Sequence, residues 1–344
     1  MTDLEQHLLA IIQDAFPLEE RPYLVLAEQL GSDEQSVFAA VEGLRKSGII
    51  RRIGGVYDSK ALGFISRLCA GKVSTISAGA SDDSALNEFA ATVNEIPAIT
   101  HNYVRSHEYN VWFTVIAQSE EEIQKIVDDV CAKTELHDVH VLSATKKYKI
   151  NTVMGGRLDA KEISLNGMQN AELSLRAKRN EAKQSPVRIL SDSDRTRIHI
   201  ACDDIPHSLT PFKDWSVSCD ELRDDIAQKR MRRFGAILRH QEAGFAYNAM
   251  VCFAKTVDSR QWSVDRNSVN PAGAILASKP YISHCYERPS FEGFPYTLYA
   301  MMHAQSADEL DRNIKEAAKS IGNPDYVVLL SVRELKKTSY RFFA

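Results

Sequence analysis

The sequence predicts an α+β fold, a tandem repeat of one unit in which a winged helix-turn-helix precedes a ferredoxin-like (βαββαβ) domain. The first observation is internal similarity: RRIGGVYDSKALGF at 51–64 matches RRFGAILRHQEAGF at 232–245, an offset of 181 residues (232 minus 51). The second is that helical periodicity gives way to strand alternation in the same order in both halves. Similarity at a fixed spacing indicates a duplicated structural unit.

The first winged helix-turn-helix is expected over residues 1–62. DLEQHLLAIIQDA places apolar residues at the spacing of one helix face, and RPYLVLAEQLG predicts a short second helix. At the start of the third helix, Ser32 and Gln35 predict a capping box, and Gly48 predicts its end. IIRRIGGVYD then alternates toward the strand and turn of a wing.

The first ferredoxin-like domain is expected over residues 63–150. Strand patterns lie in ISRLCAGKVS, in the hairpin ITHNYVRSHEYNVWFTVIA and in DVHVLSATKKYKI. Helical patterns lie between them in SALNEFAATVNEI and SEEEIQKIVDDVCAKT, the latter with a capped start at Ser119 and Glu122. The hairpin turn is expected within SHEYN, although no Asn-Gly pair marks it.

Residues 151–192 are polar and poor in large apolar side chains, which is typical of a linker. A degenerate second helix-turn-helix is expected over 193–243, and a second ferredoxin-like domain over 244–344. The two ferredoxin-like sheets are expected to associate within the chain as a pseudo-dimer.

The second helix-turn-helix is shorter than the first. Pro22 and Arg51 are separated by 29 positions (51 minus 22), but Pro211 and Arg232 by only 21 (232 minus 211). A motif that must fit a DNA groove tolerates such trimming poorly. The helix SCDELRDDIAQKRM also carries more acids than bases, so no nucleic-acid partner is expected.

The composition is that of an ordinary globular protein, with 44% hydrophobic residues, a formal net charge of −4 and a mean hydropathy of −0.28. No apolar run approaches the length of a membrane span, so no membrane association is expected. The N-terminal acids do not resemble a signal peptide. Six cysteines occur without a C-x-x-C pair, which favours reduced thiols and a cytoplasmic location.

Two predicted strands repeat the order Ser/Thr-His-x-Tyr-x-Arg, once in each half. Alternate positions on a strand point to one face, so each set of His, Tyr and Arg is expected to line a single surface. We call these sets the first trio (His101, Tyr103 and Arg105) and the second trio (His284, Tyr286 and Arg288). A single strand histidine is more often structural, but the duplicated context favours a shared function.

A winged helix-turn-helix joined to a ferredoxin-like domain resembles the Lrp/AsnC family of transcription regulators. The segments GIIRRIGGVYDSKALGF, THNYVRSHEYNVWFT and SHCYERP, with FPYTLYAMMHA, are more similar to the siroheme decarboxylases. These are paired or fused proteins of heme d1 biosynthesis and of the alternative route to heme b. The resemblance covers nearly the whole chain apart from the linker. It implies a carboxy-lyase that removes the C12 and C18 acetate carboxylates of siroheme to give 12,18-didecarboxysiroheme.

The resemblance also implies roles for individual residues. His101 and His284 become candidate general acids or axial ligands to the substrate iron, and Tyr103 and Tyr286 candidate hydrogen-bond donors. The arginines of the trios would hold carboxylates, for which a guanidinium is a bidentate partner. Further candidates for contacts with the substrate are Arg51, Arg52, Arg232, Arg233, His107 and His303. No cofactor is expected beyond the iron of siroheme.

Several alternatives stay open at this point. The wing arginines can equally make ordinary surface or interdomain contacts, and His303 can face the trios or the opposite side of its strand. Either half, or both, can be catalytic. The protein can also be a ligand-responsive regulator of the Lrp/AsnC type, or a non-catalytic siroheme or heme carrier with His101 or His284 as axial ligand.

Overall fold

The computed structural model describes residues 1–73, 84–150, 190–239, 247–255, 271–338 and 340–343. Most of the predicted linker, up to residue 189, lies outside these ranges, and its last residue, Asp192, already begins a helix. Within the described ranges, no helix is long and apolar enough to cross a membrane.

The first helix-turn-helix has the three predicted helices and the predicted wing strand: α1 (Asp3–Asp14), α2 (Pro22–Leu30), α3 (Glu34–Lys46) and β1 (Ile50–Tyr57). Gly48 follows α3 with a φ of +79°, which confirms the predicted stop. The predicted cap is wrong by one residue, because Asp33 rather than Ser32 accepts the backbone N–H of Ser36, at 2.9 Å. A carboxylate at that point also interacts favourably with the helix dipole.

The first ferredoxin-like unit follows the predicted order: β2 (Ile65–Val73), α4 (Ser84–Glu95), β3 (Ile99–Arg105), β4 (Val111–Ala117), α5 (Glu120–Lys133) and β5 (Leu136–Leu142). Ser119 caps α5 by accepting the N–H of Glu122, as predicted. The segment expected as one final strand is two, since β6 (Lys146–Ile150) continues after a break.

The second half contains α6 (Asp192–Ala201), α7 (Cys219–Ala227), β7 (Met231–Leu238), β8 (Tyr247–Ala254), α8 (Pro271–Ser278), β9 (Ile282–Glu287), β10 (Tyr296–Ala304), α9 (Ala307–Ser320) and β11 (Tyr326–Lys337). Residues 202–218, all of them described, contain no helix. The degenerate helix-turn-helix therefore lacks a counterpart of α2.

The two wing strands pair with each other. β1 and β7 run antiparallel, with Gly54 opposite Gly235. A Cβ at Gly54 would lie 2.2 Å from the carbonyl oxygen of Asp203, and one at Gly235 would lie 2.6 Å from that of Ile12. These glycines thus allow close packing of the backbone. Side chains from both helix-turn-helix segments share one hydrophobic core.

The ferredoxin-like units exchange strands. Residues 326–330 of β11 pair with β8 in the second unit, and residues 331–337 continue onto β3 in the first. In the other direction, β6 from the first unit pairs with β9 in the second. The result is one nine-stranded sheet in the order β5-β2-β4-β3-β11-β8-β10-β9-β6. This is the arrangement expected of a pseudo-dimer within one chain.

In the described part of the chain, helices cover the outer face of each unit, with α4 and α5 on the first and α8 and α9 on the second. The inner faces pack against each other through a separate core that includes Ala70, Trp112, Cys252 and Leu329. The rings of Trp112 and Tyr299 lie 6.3 Å apart across this contact. The centre of each inner face is therefore apolar and closely packed, and polar side chains that contact a ligand are expected at its edges.

Candidate functional site

Both trios lie on the inner faces of the sheet. Tyr103 is opposite Trp112 in the strand register, and Tyr286 is opposite Tyr299, so the two tyrosines border the inner core. The histidines and tyrosines of both trios are partly buried, and Arg105 is only 5% exposed. The alternation of the strand thus puts each trio on one surface, in equivalent places in the two halves.

Each trio arginine lies over the ring of its own tyrosine and reaches a strand of the other unit, β11 for Arg105 and the end of β5 for Arg288. The guanidinium carbon of Arg105 is 5.0 Å from the tyrosine ring centroid, and the group donates to the carbonyl of Leu329 at 3.2 Å and the hydroxyl of Ser331 at 2.8 Å. Arg288 is 5.1 Å from its tyrosine and donates to the carbonyl of Leu142 at 2.7 Å. Hydrogen bonds to the opposite unit therefore hold both arginines in place.

The charges of these arginines are not matched by a carboxylate among the described residues. Across the described part of the chain, neither Arg105 nor Arg288 forms an ion pair with a carboxylate, and the Nε atom of each is buried without a hydrogen-bond partner. Burial lowers the pKa of both guanidinium groups. A buried cation without a counter-ion is costly, and an anionic ligand would offset that cost. Both positions are suited to binding carboxylates.

The residue opposite the tyrosine differs between the halves. Tyr103 faces Glu334 on β11 and hydrogen-bonds to its carboxylate. Burial raises the pKa of Tyr103, and the negative charge of Glu334 raises it further. Burial also raises the pKa of Tyr286, but the residue opposite it is Lys147 on β6. Both tyrosines therefore stay protonated near neutral pH. Tyr103 lies opposite an acidic residue and Tyr286 opposite a basic one.

The wing strands place one arginine beside each trio. Arg51 lies within electrostatic range of Tyr103 and Glu334, and burial lowers its pKa. Its equivalent Arg232 lies near Tyr286, where it ion-pairs with Asp58 at 3.5 Å. These two predicted residues are brought to the trios.

The next residue on each wing strand points elsewhere. Arg52 donates to the carbonyl of Gly55 at 3.2 Å, and Arg233 donates to the carbonyls of Gln13 and, at 3.3 Å, Ala236. Gly55 and Ala236 lie on the same wing strands as their donors, whereas Gln13 lies on α1, and Arg52 also reaches the carbonyl of Asp203, just after α6, at 3.5 Å. The structure therefore does not bring Arg52 and Arg233 to the trios, and the interpretation of the wing arginines as interdomain contacts applies to this pair.

His107 lies in the hairpin turn rather than beside the first trio. Its Nδ1 accepts the backbone N–H of Tyr109 at 3.0 Å, and its ring meets Phe294 of the second half at 5.5 Å. Partial burial lowers its pKa, which favours the neutral form. His107 thus contributes to the contact between the halves.

His303 faces the second trio through an intervening serine. The hydroxyl of Ser283 is 2.9 Å from Nδ1 of His284 and 2.7 Å from Nε2 of His303, and Nδ1 of His303 hydrogen-bonds to Asn248. In the first half, the hydroxyl of Thr100 is likewise 2.9 Å from Nδ1 of His101. No role was predicted for these hydroxyls, although both stand at the start of the repeated Ser/Thr-His-x-Tyr-x-Arg order.

Comparison with known proteins bears directly on this site. Residues 69–149 and 242–336 match the model of the AsnC-like ligand binding domain, and residues 5–51 match the siroheme decarboxylase NirDL-like HTH domain. The siroheme decarboxylase of Hydrogenobacter thermophilus is 29% identical over 98% of this chain and 94% of its own length. The siroheme decarboxylase alpha subunit of Desulfovibrio desulfuricans is 45% identical over 44% of this chain and 82% of the subunit. The chain belongs to the siroheme decarboxylase family.

A solved structure of another siroheme decarboxylase has the same architecture over nearly the whole chain. The crystal structure of the siroheme decarboxylase NirDL in co-complex with an iron-uroporphyrin III analogue matches with a TM-score of 0.64 and 26% identity, covering 99% of this chain and 95% of that one. The predicted family and the predicted α+β fold are thus confirmed.

Proposed function

We propose that this protein is a carboxy-lyase that removes the C12 and C18 acetate carboxylates of siroheme, giving 12,18-didecarboxysiroheme. The observation that carries the proposal is the pair of buried arginines without carboxylate partners, each beside a tyrosine and a histidine. The substrate is a polyanionic macrocycle, so it supplies the anions that these arginines lack. Membership of the siroheme decarboxylase family supports this choice of substrate.

The arginines hold and orient the substrate. Arg105 and Arg288 are fixed by bonds to the opposite unit, so their remaining donors are directed without further loss of side-chain freedom. Arg51 and Arg232 extend the positive surface toward the wings. A carboxylate bound by a guanidinium stays ionised, which is the form that loses carbon dioxide.

The reaction needs one proton for each carboxylate. Cleavage of the carbon–carbon bond of an acetate releases carbon dioxide and leaves an electron pair, which the macrocycle delocalises. A proton delivered to the former carboxymethyl carbon then gives a methyl group. The imidazoles of His101 and His284 are suited to this transfer near neutral pH. The protonated phenols of Tyr103 and Tyr286 donate hydrogen bonds to the bound substrate. No cofactor beyond the iron that siroheme carries enters this scheme.

Partners and location are part of the proposal. Siroheme is the only ligand it requires, and neither nucleic acid nor membrane takes part. The first and second ferredoxin-like units act as a pseudo-dimer, with each unit supplying one trio and one exchanged strand. All six cysteines are unpaired, which suits the reducing cytoplasm.

Anaerobic incubation of the purified protein with siroheme, followed by mass spectrometry of the extracted tetrapyrrole, tests the proposal. We expect a product lighter by two molecules of carbon dioxide. Recovery of unchanged siroheme bound to the protein would instead indicate a carrier. Specific operator binding in a gel shift at physiological salt, without turnover, would indicate a regulator.

A further inference from the structure

A chain of hydrogen bonds holds the histidine of the second trio. It runs from His284 through Ser283 and His303 to Asn248, with separations of 2.9 Å and 2.7 Å in its first two steps. His303 is 8% exposed, and its backbone N–H donates to the carbonyl of Tyr281 at 3.1 Å. The side chain that anchors the chain is therefore itself fixed.

The chain also fixes the direction of each hydrogen bond. The amide oxygen of Asn248 accepts only, so Nδ1 of His303 carries the hydrogen and its Nε2 is an acceptor. The hydroxyl of Ser283 donates to that Nε2 and accepts from Nδ1 of His284. The same hydroxyl also lies 3.4 Å from the carbonyl oxygen of Met301, but this contact is longer than the one to Nε2 of His303 and competes only weakly for the hydroxyl hydrogen. His284 is thus held with its Nε2 turned away from Ser283.

The first half has the hydroxyl but not the second histidine. Ile116 is the equivalent of His303. The backbone N–H of Ile116 donates to the carbonyl of Ala98, three residues before His101, just as that of His303 donates to the carbonyl of Tyr281, three residues before His284. The hydrogen bond from Thr100 to His101 therefore has no imidazole behind it. Among the described residues, the two trios thus match in composition, but only the second has a further imidazole hydrogen-bonded to the hydroxyl that precedes its histidine.

We propose that His303 is a positioning residue that holds His284 through Ser283, so that the protonated imidazole of His284 delivers a proton to the substrate from Nε2 in a fixed orientation. The inference rests on the proposed function. A proton donor that is free to rotate spends only part of its time aligned, and removing a group that orients a histidine commonly lowers activity about 10-fold to 100-fold.

The charges around the trios agree with this assignment. The position opposite the tyrosine holds Lys147 in the second half and Glu334 in the first. A lysine attracts a polyanionic macrocycle, whereas a glutamate repels its carboxylates. In the second half Lys147 and Arg232 share one carboxylate, that of Asp58, at 4.0 Å and 3.5 Å, whereas in the first half Arg51 lies near Glu334.

Three variants test the role of His303 in anaerobic siroheme turnover. His303→Ile copies the first half and removes the acceptor for Ser283. His303→Gln keeps an acceptor near the position of Nε2. Ile116→Val is the matched control on the equivalent strand. We expect His303→Ile to lower kcat at least about tenfold, with KM changed less than about twofold, and His303→Gln to restore most of kcat.

Nitrogen-15 NMR of labelled histidines provides a readout that does not depend on turnover. The signal of His284, assigned by its loss in His284→Ala, is expected to show protonated Nδ1 in the wild type and in His303→Gln, and a tautomer mixture in His303→Ile. A mixture already present in the wild type would overturn the inference, even if siroheme is not turned over. Unchanged kcat in His303→Ile, or equal loss in both His303 variants, would overturn it while leaving the proposed function intact if the wild type is active.

Discussion

At the scale of residues, neighbouring arginines of the same type have different roles. Arg51 and Arg232 lie beside the trios, whereas Arg52 and Arg233 bind backbone carbonyls in the helix-turn-helix core. Strand alternation requires adjacent residues to face opposite sides, but the sequence does not say which side faces the site. That each trio shares one surface was predictable because its residues stand at alternate positions, whereas the two arginines of each wing pair are adjacent and either one can face the site.

Removing the charge of Arg288 is expected to weaken siroheme binding without destabilising the protein. Arg288→Met should raise Kd about tenfold or more, because a charge-assisted hydrogen bond contributes about 1.5–3 kcal/mol. The unliganded protein loses a buried unmatched cation, so its free energy of unfolding should not fall. Absorbance titration and urea unfolding measure the two effects, with Arg223→Met, at an exposed ion pair, as control. Equal affinity for siroheme in Arg288→Met would contradict the account.

Asp194 is expected to make the protein sensitive to acid. Hydrogen bonds from Ser191, with the nearby Arg197, lower the pKa of this carboxyl to about 2 from 3.8. A folded-state pKa below the unfolded value stabilises the protein above about pH 4, and this contribution is lost as the pH falls toward about 2. Asp194→Asn should therefore reduce the dependence of stability on pH in that window. Acid unfolding followed by circular dichroism tests this, and the exposed Asp192→Asn should behave like the wild type.

At the scale of elements, helix ends and strand order were predictable because local rules decide them. The caps at Ser119 and the stop at Gly48 follow from side chains and backbone within a few residues. The cap of α3 was predicted at Ser32 but lies at Asp33. Both residue types can cap a helix, and only the local backbone geometry selects one of them. The absence of a second helix in 202–218 was visible only as a shorter spacing.

Two glycines are expected to respond oppositely to alanine. Gly43 lies exposed within α3, and a Cβ there would meet nothing within 4 Å, so Gly43→Ala should raise the free energy of unfolding by about 1 kcal/mol. Gly54→Ala should lower it by about 2 kcal/mol, because the new Cβ would collide with the carbonyl of Asp203. Urea unfolding measures both changes. Equal stability of the two variants would show that the wing does not pack closely against the helices.

At the scale of the whole molecule, the strand exchange was not predictable in detail. DVHVLSATKKYKI has one continuous strand pattern, yet β5 pairs within its own unit and β6 pairs with β9 of the other. Periodicity identifies a strand and its buried face but not its partner. The exchange matters for the site, because β6 brings Lys147 to the second trio and β11 brings Glu334 to the first.

The shared sheet is expected to unfold as one unit. Leu335 belongs to the second ferredoxin-like unit but packs on the hydrophobic core of the first. Leu335→Asp should lower the free energy of unfolding by about 2 kcal/mol and leave a single transition, seen alike by tryptophan fluorescence and circular dichroism. Val332→Asp, on the same strand but 65% exposed, is the control. Separate transitions for the two halves would contradict the exchange.

Anaerobic siroheme turnover by single histidine variants tests the trios most directly. His284→Ala should lower the rate about a hundredfold or more, the contribution usual for a positioned proton donor, and His101→Ala should impair binding or turnover. His107→Ala, in the turn, and His137→Ala, at an exposed strand position, should remain within about twofold of the wild type. Activity like that of the wild type in both His101→Ala and His284→Ala would contradict the assignment of the site.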